Sequence, residues 1–101
     1  MDLKIFSPEN GKTLVKLEGR LDTTNSEEFE KKMATLMVGA NPDIEIDCTD
    51  FVYISSSGLR LILTLLKSVN ARGGKLTISH LSPQIREVFD MTGFSRIIPI
   101  I

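Results

Sequence analysis

From Thr13 to Leu21 the chain sets Val15, Leu17 and Leu21 against Lys16, Glu18 and Arg20. A period of two predicts a strand with one face buried and the other wet. The stretch Ile44–Thr49 alternates in the same way, with Ile44, Ile46 and Cys48 opposed to Glu45, Asp47 and Thr49, and Lys75–Ser79 repeats the pattern. A shorter apolar segment at Leu3–Phe6 is joined to the first of these by Glu9-Asn-Gly-Lys12. Asn-Gly predicts a tight hairpin, because both residues tolerate positive φ. Arg96–Ile101 predicts a terminal strand, with Pro99 marking a sheet edge.

Between the strands the spacing changes to that of a helix. Phe29, Met33, Leu36 and Met37 recur at helical intervals. Ahead of them, Thr23-Thr-Asn-Ser-Glu-Glu28 supplies capping groups, with Glu27 and Glu28 placed as a capping box requires. A second helix begins in the serine run Ser55-Ser-Ser57 and continues to about Arg72, where Gly73-Gly74 ends it. In a third, Ser82-Pro83 reads as N-cap and first-turn proline, Ile85, Val88 and Phe89 form the buried stripe, and Gly93 terminates it. The order is β-β-α-β-α-β-α-β. The β-α-β units demand parallel neighbours with right-handed crossovers. Strands that alternate, rather than run apolar throughout, leave one sheet face solvated. The expected fold is a single α/β domain over residues 1–101, a mixed sheet with helices packed mainly on one face.

Composition narrows the function. The 101 residues suit one core, and 42% hydrophobic with 25% charged residues is ordinary for a soluble domain. A formal net charge of -1 lacks the basic excess of a nucleic-acid binder. The lone Cys48 forms no internal disulfide, which fits a reducing, cytoplasmic setting, and its apolar surroundings read as a buried thiol. No apolar stretch approaches the roughly 18 residues needed to span a bilayer, and no signal segment is expected at the N-terminus.

The segment Phe51-Val-Tyr-Ile-Ser-Ser-Ser-Gly-Leu59 interrupts two apolar runs with three hydroxyls. One serine suffices as a helix cap, and Ser56 or Ser57 is the expected one, with Ser55 ending the loop. A hydrolase would need a base and an orienting acid beside its nucleophile. The only histidine is His80, and no G-x-S-x-G elbow surrounds the serines. Gly73-Gly-Lys75 lacks the rest of a phosphate-binding loop, and no Cys/His cluster suggests a metal. No cofactor is expected, and no enzymatic activity. A covalent phosphate fits better, since the amide groups and dipole of a helix N-terminus favour an anion. Gly58 admits close approach of a neighbour. Leu59 and Leu63, near the serine end of an unusually apolar helix, are candidates for partner contact.

Taken together, Gly19-Arg-Leu-Asp22, the serine segment through Leu59, Gly73-Gly74, Phe89-Asp-Met-Thr-Gly-Phe94 and Ile97-Ile98 resemble the STAS domain. The likeness covers nearly the whole chain and is greatest to the stand-alone bacterial anti-sigma factor antagonists. It implies a protein that binds an anti-sigma factor, itself a protein serine kinase, and so frees a sigma factor. It also implies that the kinase switches binding off by phosphorylating a serine at the start of the second helix, and that a serine phosphatase reverses this. By motif the acceptor is Ser56. Ser55 stands where many members carry aspartate, so Ser55 and Ser57 remain alternative acceptors. Asp22, Thr23, Ser55, Ser57, Gly58, Leu59 and Leu63 are the expected partner-binding residues. The family also contains accessory subunits that regulate transporter ATPases and modules that sense small ligands or nucleotides; these are the alternative readings.

Overall fold

A computed structural model describes residues 2–9, 12–36 and 42–101, with side chains described from Lys12 onward except that of Thr35. The elements are β1 (Asp2–Glu9), β2 (Lys12–Leu21), α1 (Ser26–Met33), β3 (Asp43–Ile54), α2 (Ser56–Ala71), β4 (Lys75–Ser79) and α3 (Pro83–Thr92). Short 3-10 turns follow α1 at Ala34–Leu36 and α3 at Phe94–Arg96. The strands form one sheet in the order β1-β2-β3-β4. The β1–β2 pair is antiparallel and reaches Glu9 opposite Lys12, as a hairpin demands, while β2–β3 and β3–β4 are parallel. Asn10, Gly11 and Met37, on which part of the sequence reading rests, lie outside the described residues.

The expected alternation places Val15, Leu17 and Leu21 of β2, Ile44 and Ile46 of β3, and Leu76 and Ile78 of β4 in one buried cluster. Phe29 and Met33 of α1, Ile62, Leu65 and Val69 of α2, and Ile85 and Phe89 of α3 complete that cluster. The helices therefore cover one face of a mixed sheet, as expected. The opposite face carries polar pairs. Lys12 Nζ meets Glu45 Oε1 at 3.0 Å, and Ser79 Oγ donates to Glu45 Oε2 at 2.8 Å. That bond satisfies the hydroxyl of Ser79, a buried polar side chain.

The C-terminal segment differs from expectation. Instead of a strand over Arg96–Ile101 there is one isolated parallel bridge, Ile78 to Ile100. Gly93 ends α3 in the left-handed region (φ 83°), and Phe94 folds back edge-on to Phe89, with ring centroids 5.9 Å apart. The resulting turn uses Ile97 N–H and Ile98 N–H on the Phe94 carbonyl, so these amides are lost to the sheet. Pro99 has no N–H to offer. Pairing then reduces to Ile78 N–H on Pro99 O at 2.9 Å and Ile101 N–H on Ile78 O at 2.8 Å.

The start of α1 also departs from the capping box. Asn25 is the N-cap, but its side chain makes no capping bond into the helix. It reaches backward, accepting from Asp22 N–H at 2.9 Å and donating to the Arg20 carbonyl at 2.8 Å. Thr24 bonds to Asp22 rather than to the helix. The third helix follows the expected grammar, with Ser82 Oγ accepting from Ile85 N–H at 3.3 Å and proline at the first position.

Candidate functional site

Parallel β2 and β3 end side by side, Leu21 opposite Ile54, and the residues just beyond them form the site. Ser55 N–H donates to the Leu21 carbonyl at 2.8 Å, which ties the start of α2 to the loop after β2. Ligands of open parallel sheets bind beyond the carboxyl ends of strands, and the serines occupy that position.

The strand that delivers them is longer than its alternation predicts. Lys16 lies opposite Asp47 but Glu18 opposite Asp50, so β3 advances three residues while β2 advances two. A second shift occurs between Gly19 and Arg20, whose partners are Phe51 and Tyr53. Each extra residue re-aims the side chains that follow. Cys48, Phe51 and Ile54, three apart, consequently all point into the core, while Val52 and Tyr53 are 58% and 40% exposed. The guanidinium of Arg20 lies 4.2 Å from the centre of the Tyr53 ring.

The serine run resolves into three roles. Ser55, extended at φ -91° and ψ 172°, is the N-cap of α2, and its Oγ accepts from Gly58 N–H at 3.2 Å. The expectation that Ser56 or Ser57 caps is corrected: the strand runs through Ile54, so Ser55 is the last non-helical residue. Ser57 Oγ lies 2.9 Å from Ser55 Oγ and is half-buried. Ser56 is the first helical residue and is exposed, and its hydroxyl has no hydrogen-bond partner among the described residues. Serine and aspartate cap helices about equally well. Ser55 therefore serves the cap as well as an aspartate would at the same position.

Gly58 is explained by packing. A Cβ there would stand 2.8 Å from Leu21 Cγ and 3.0 Å from Ile54 Cγ1, so the first turn of α2 rests directly on the two strand ends. The close neighbours are thus the protein's own core. Leu59, at 9% exposure, belongs to that core too, whereas Leu63 is partly buried against it. Of the two, only Leu63 offers appreciable surface.

On the β2 side the loop presents Asp22 and exposed Thr23. Asp22 Oδ1 accepts from the Thr24 hydroxyl at 2.5 Å and the Thr24 N–H at 2.9 Å, and Arg20 Nε lies 3.7 Å from Oδ2. The Thr24 hydroxyl, then its N–H, then Arg20 hold the Asp22 carboxyl below its ordinary value. Between α1 and α2 a groove of about 230 Å³ is walled by Glu27 and Glu30 on one side and Ser57 and Arg60 on the other. Sequence reasoning did not single out Arg20, Asn25, Arg60 or the two glutamates as part of the site. For Asn25 the spacing Asp22-x-x-Asn25 was an available signal, since Asx side chains bond to nearby backbone.

Other candidates fall away from the site. His80 takes a left-handed conformation (φ 58°) just past Ser79, which pairs with Asp47 rather than with the serine end of β3. Cys48 is buried, and desolvation with the nearby Asp47 charge pushes its thiol up to about 12, which makes it a poor nucleophile. No cluster able to hold a metal occurs among the described residues, and none of their helices is long and apolar enough to cross a membrane.

A mixed sheet covered on one side by helices, with a capped serine turn at its strand ends, is the architecture of a STAS domain. The chain belongs to the STAS domain family, whose model matches residues 6–101. It is 32% identical over 91 residues to BtrV of Bordetella bronchiseptica, which bears the name of a candidate anti-sigma factor antagonist; the match covers 90% of this chain and 78% of BtrV. It is 30% identical over 86 residues to the anti-sigma-B factor antagonist of Bacillus subtilis, covering 85% of this chain and 78% of the relative. Among solved structures, a Thermotoga maritima protein described as a candidate anti-sigma factor antagonist superposes with a TM-score of 0.84 at 25% identity, over 98% of this chain and 83% of that one. The phosphorylated form of the Bacillus cell fate determinant SpoIIAA gives 0.72 at 21% identity, over 99% and 91%, a likeness of fold.

Proposed function

We propose that this protein is an anti-sigma factor antagonist whose binding is switched by phosphorylation of Ser56. Unmodified, it docks on an anti-sigma factor that is also a serine kinase, and so releases a sigma factor. The kinase transfers phosphate to Ser56 and the complex separates; a serine phosphatase restores binding. The observation that carries this reading is the division of labour among the serines. Ser55 is committed as cap and Ser57 is bonded to Ser55, whereas Ser56 is exposed at the first helical position.

A phosphate there suits the dipole and free amides of the α2 N-terminus, so modification need not disturb the fold. It adds close to two negative charges to the docking surface formed by Asp22, Thr23, Ser55 and Ser57, with Leu63 further along α2 and the buried Gly58 setting the first turn of α2 beneath it. Leu59 supports that surface from inside the core. The relatives named as antagonists support the partner class.

The test is incubation with the anti-sigma factor of the native host and ATP, followed by mapping of the phosphate by mass spectrometry. Phosphate on Ser56 is expected; none on Ser55, Ser56 or Ser57 sinks the switch. Ser56→Ala is expected to bind but resist switching, and Ser56→Asp to bind more weakly. Equal affinity of the two variants would rule out a charge mechanism.

A further inference from the structure

From Ser56 to Lys67 the exposed residues of α2 are Ser56, Arg60, Thr64 and Lys67, a narrow polar strip among positions that are buried or half-buried. Ser56 and Arg60 are four apart, the spacing at which helical side chains meet on one face. Arg20, at the end of β2, and Arg60, in α2, lie on the two elements that frame the serines. Arg20 is committed to the Asp22 carboxylate and the Tyr53 ring. Arg60 forms no ion pair among the described residues, although it lines a groove with Glu27 and Glu30. Among the described residues Arg60 is thus a cation without an ion pair, one helical turn from Ser56 on the same exposed face.

We infer that Arg60 receives a phosphate placed on Ser56, moving its charge from the α1–α2 groove to the start of α2. This rests on the reading of Ser56 as the acceptor. Arg binds phosphate through two parallel N–H donors, a stronger contact than the loose approach of an exposed carboxylate. Once Arg60 turns to the phosphate, Glu27 and Glu30 face the groove without a cation. The modification then alters two surfaces: it adds a dianion at Ser56 and makes the groove wall uniformly acidic. A partner that places an acidic or apolar segment in the groove is rejected at both.

Phosphoserine incorporated translationally at position 56 tests this without any kinase, so failure of the inference is separable from failure of the proposed switch. The readout is the second ionisation of the phosphate, followed by phosphorus NMR at low ionic strength. An unperturbed phosphoserine titrates at about 6. Arg60 is expected to hold the value lower, and Arg60→Ala to raise it by about half a pH unit, as loss of one exposed ion pair implies. Arg60→Lys is expected to fall between the two, because ammonium is a point charge without the planar fork. Glu27→Gln with Glu30→Gln removes the competing carboxylates and is expected to lower the value further. The same titration in the wild type, Arg60→Ala and Arg60→Lys would overturn the inference, since the helix dipole alone acts equally on all three.

Discussion

Three consecutive hydroxyls acquire three different fates because a helix begins among them. Ser55 lies outside the helix and caps it, Ser56 points to solvent from the first turn, and Ser57 leans back on Ser55. Ser55→Ala is expected to cost about 1 kcal/mol in a denaturant titration, while Ser55→Asp and Ser56→Ala stay within a few tenths. A loss for Ser56→Ala as large as that for Ser55→Ala would mean the cap has been misplaced. Asp22 gives a second prediction at this scale. Its folded carboxyl titrates below the ordinary 3.8, chiefly because the Thr24 hydroxyl and N–H bond to the charged form. The contribution to loop order is therefore present above that ordinary value and is lost as pH falls through the lower folded one. In an NMR titration Thr24→Val is expected to move Asp22 back up toward 3.8.

Elements show most clearly what was legible beforehand. The alternation of β2, the N-terminal serine and proline of α3, and the glycine stops are local patterns, and they appear where the residues indicate; in β4 Leu76 and Ile78 face the core as expected, but Thr77 and Ser79, expected on a wet face, are buried as well. The end of β3 was not legible, because two added residues convert a period of two into Cys48, Phe51, Ile54 spacing. Only the neighbouring strand reveals the shift. That displacement also decided which serine caps α2. The α1 entry failed for a related reason: Thr24 and Asn25 have capping chemistry, but the ends of β2 offered them better partners. Gly58, read as room for a neighbour, proved to be room for Leu21 and Ile54. Gly58→Ala is expected to cost about 1–3 kcal/mol by overpacking, offset in part by the ~1 kcal/mol that alanine gains in a helix, for a net loss of up to about 2 kcal/mol. The denaturation midpoint measures it; a variant more stable than the wild type would show that the contact relaxes freely.

At the scale of the molecule, one sheet face bears the helices and the core, and the candidate site sits where parallel strands end. The site is thus built on the rigid part of the fold, and charge added at Ser56 meets solvent rather than core. Global stability of Ser56→Asp is expected to match that of the wild type in thermal unfolding, even where partner affinity falls. The C-terminal segment plays a different part. Beside β4 it supplies a carbonyl to Ile78 N–H and an amide to Ile78 O. Removing residues 99–101 would leave both groups of Ile78 open on the outer edge of the five-residue strand β4. An unpaired edge is a template for another chain. Light scattering on warming is expected to rise at lower temperature and with concentration in the truncated form, while circular dichroism in the cold stays near native. Three residues remote from the serines would then govern how long the protein remains dispersed.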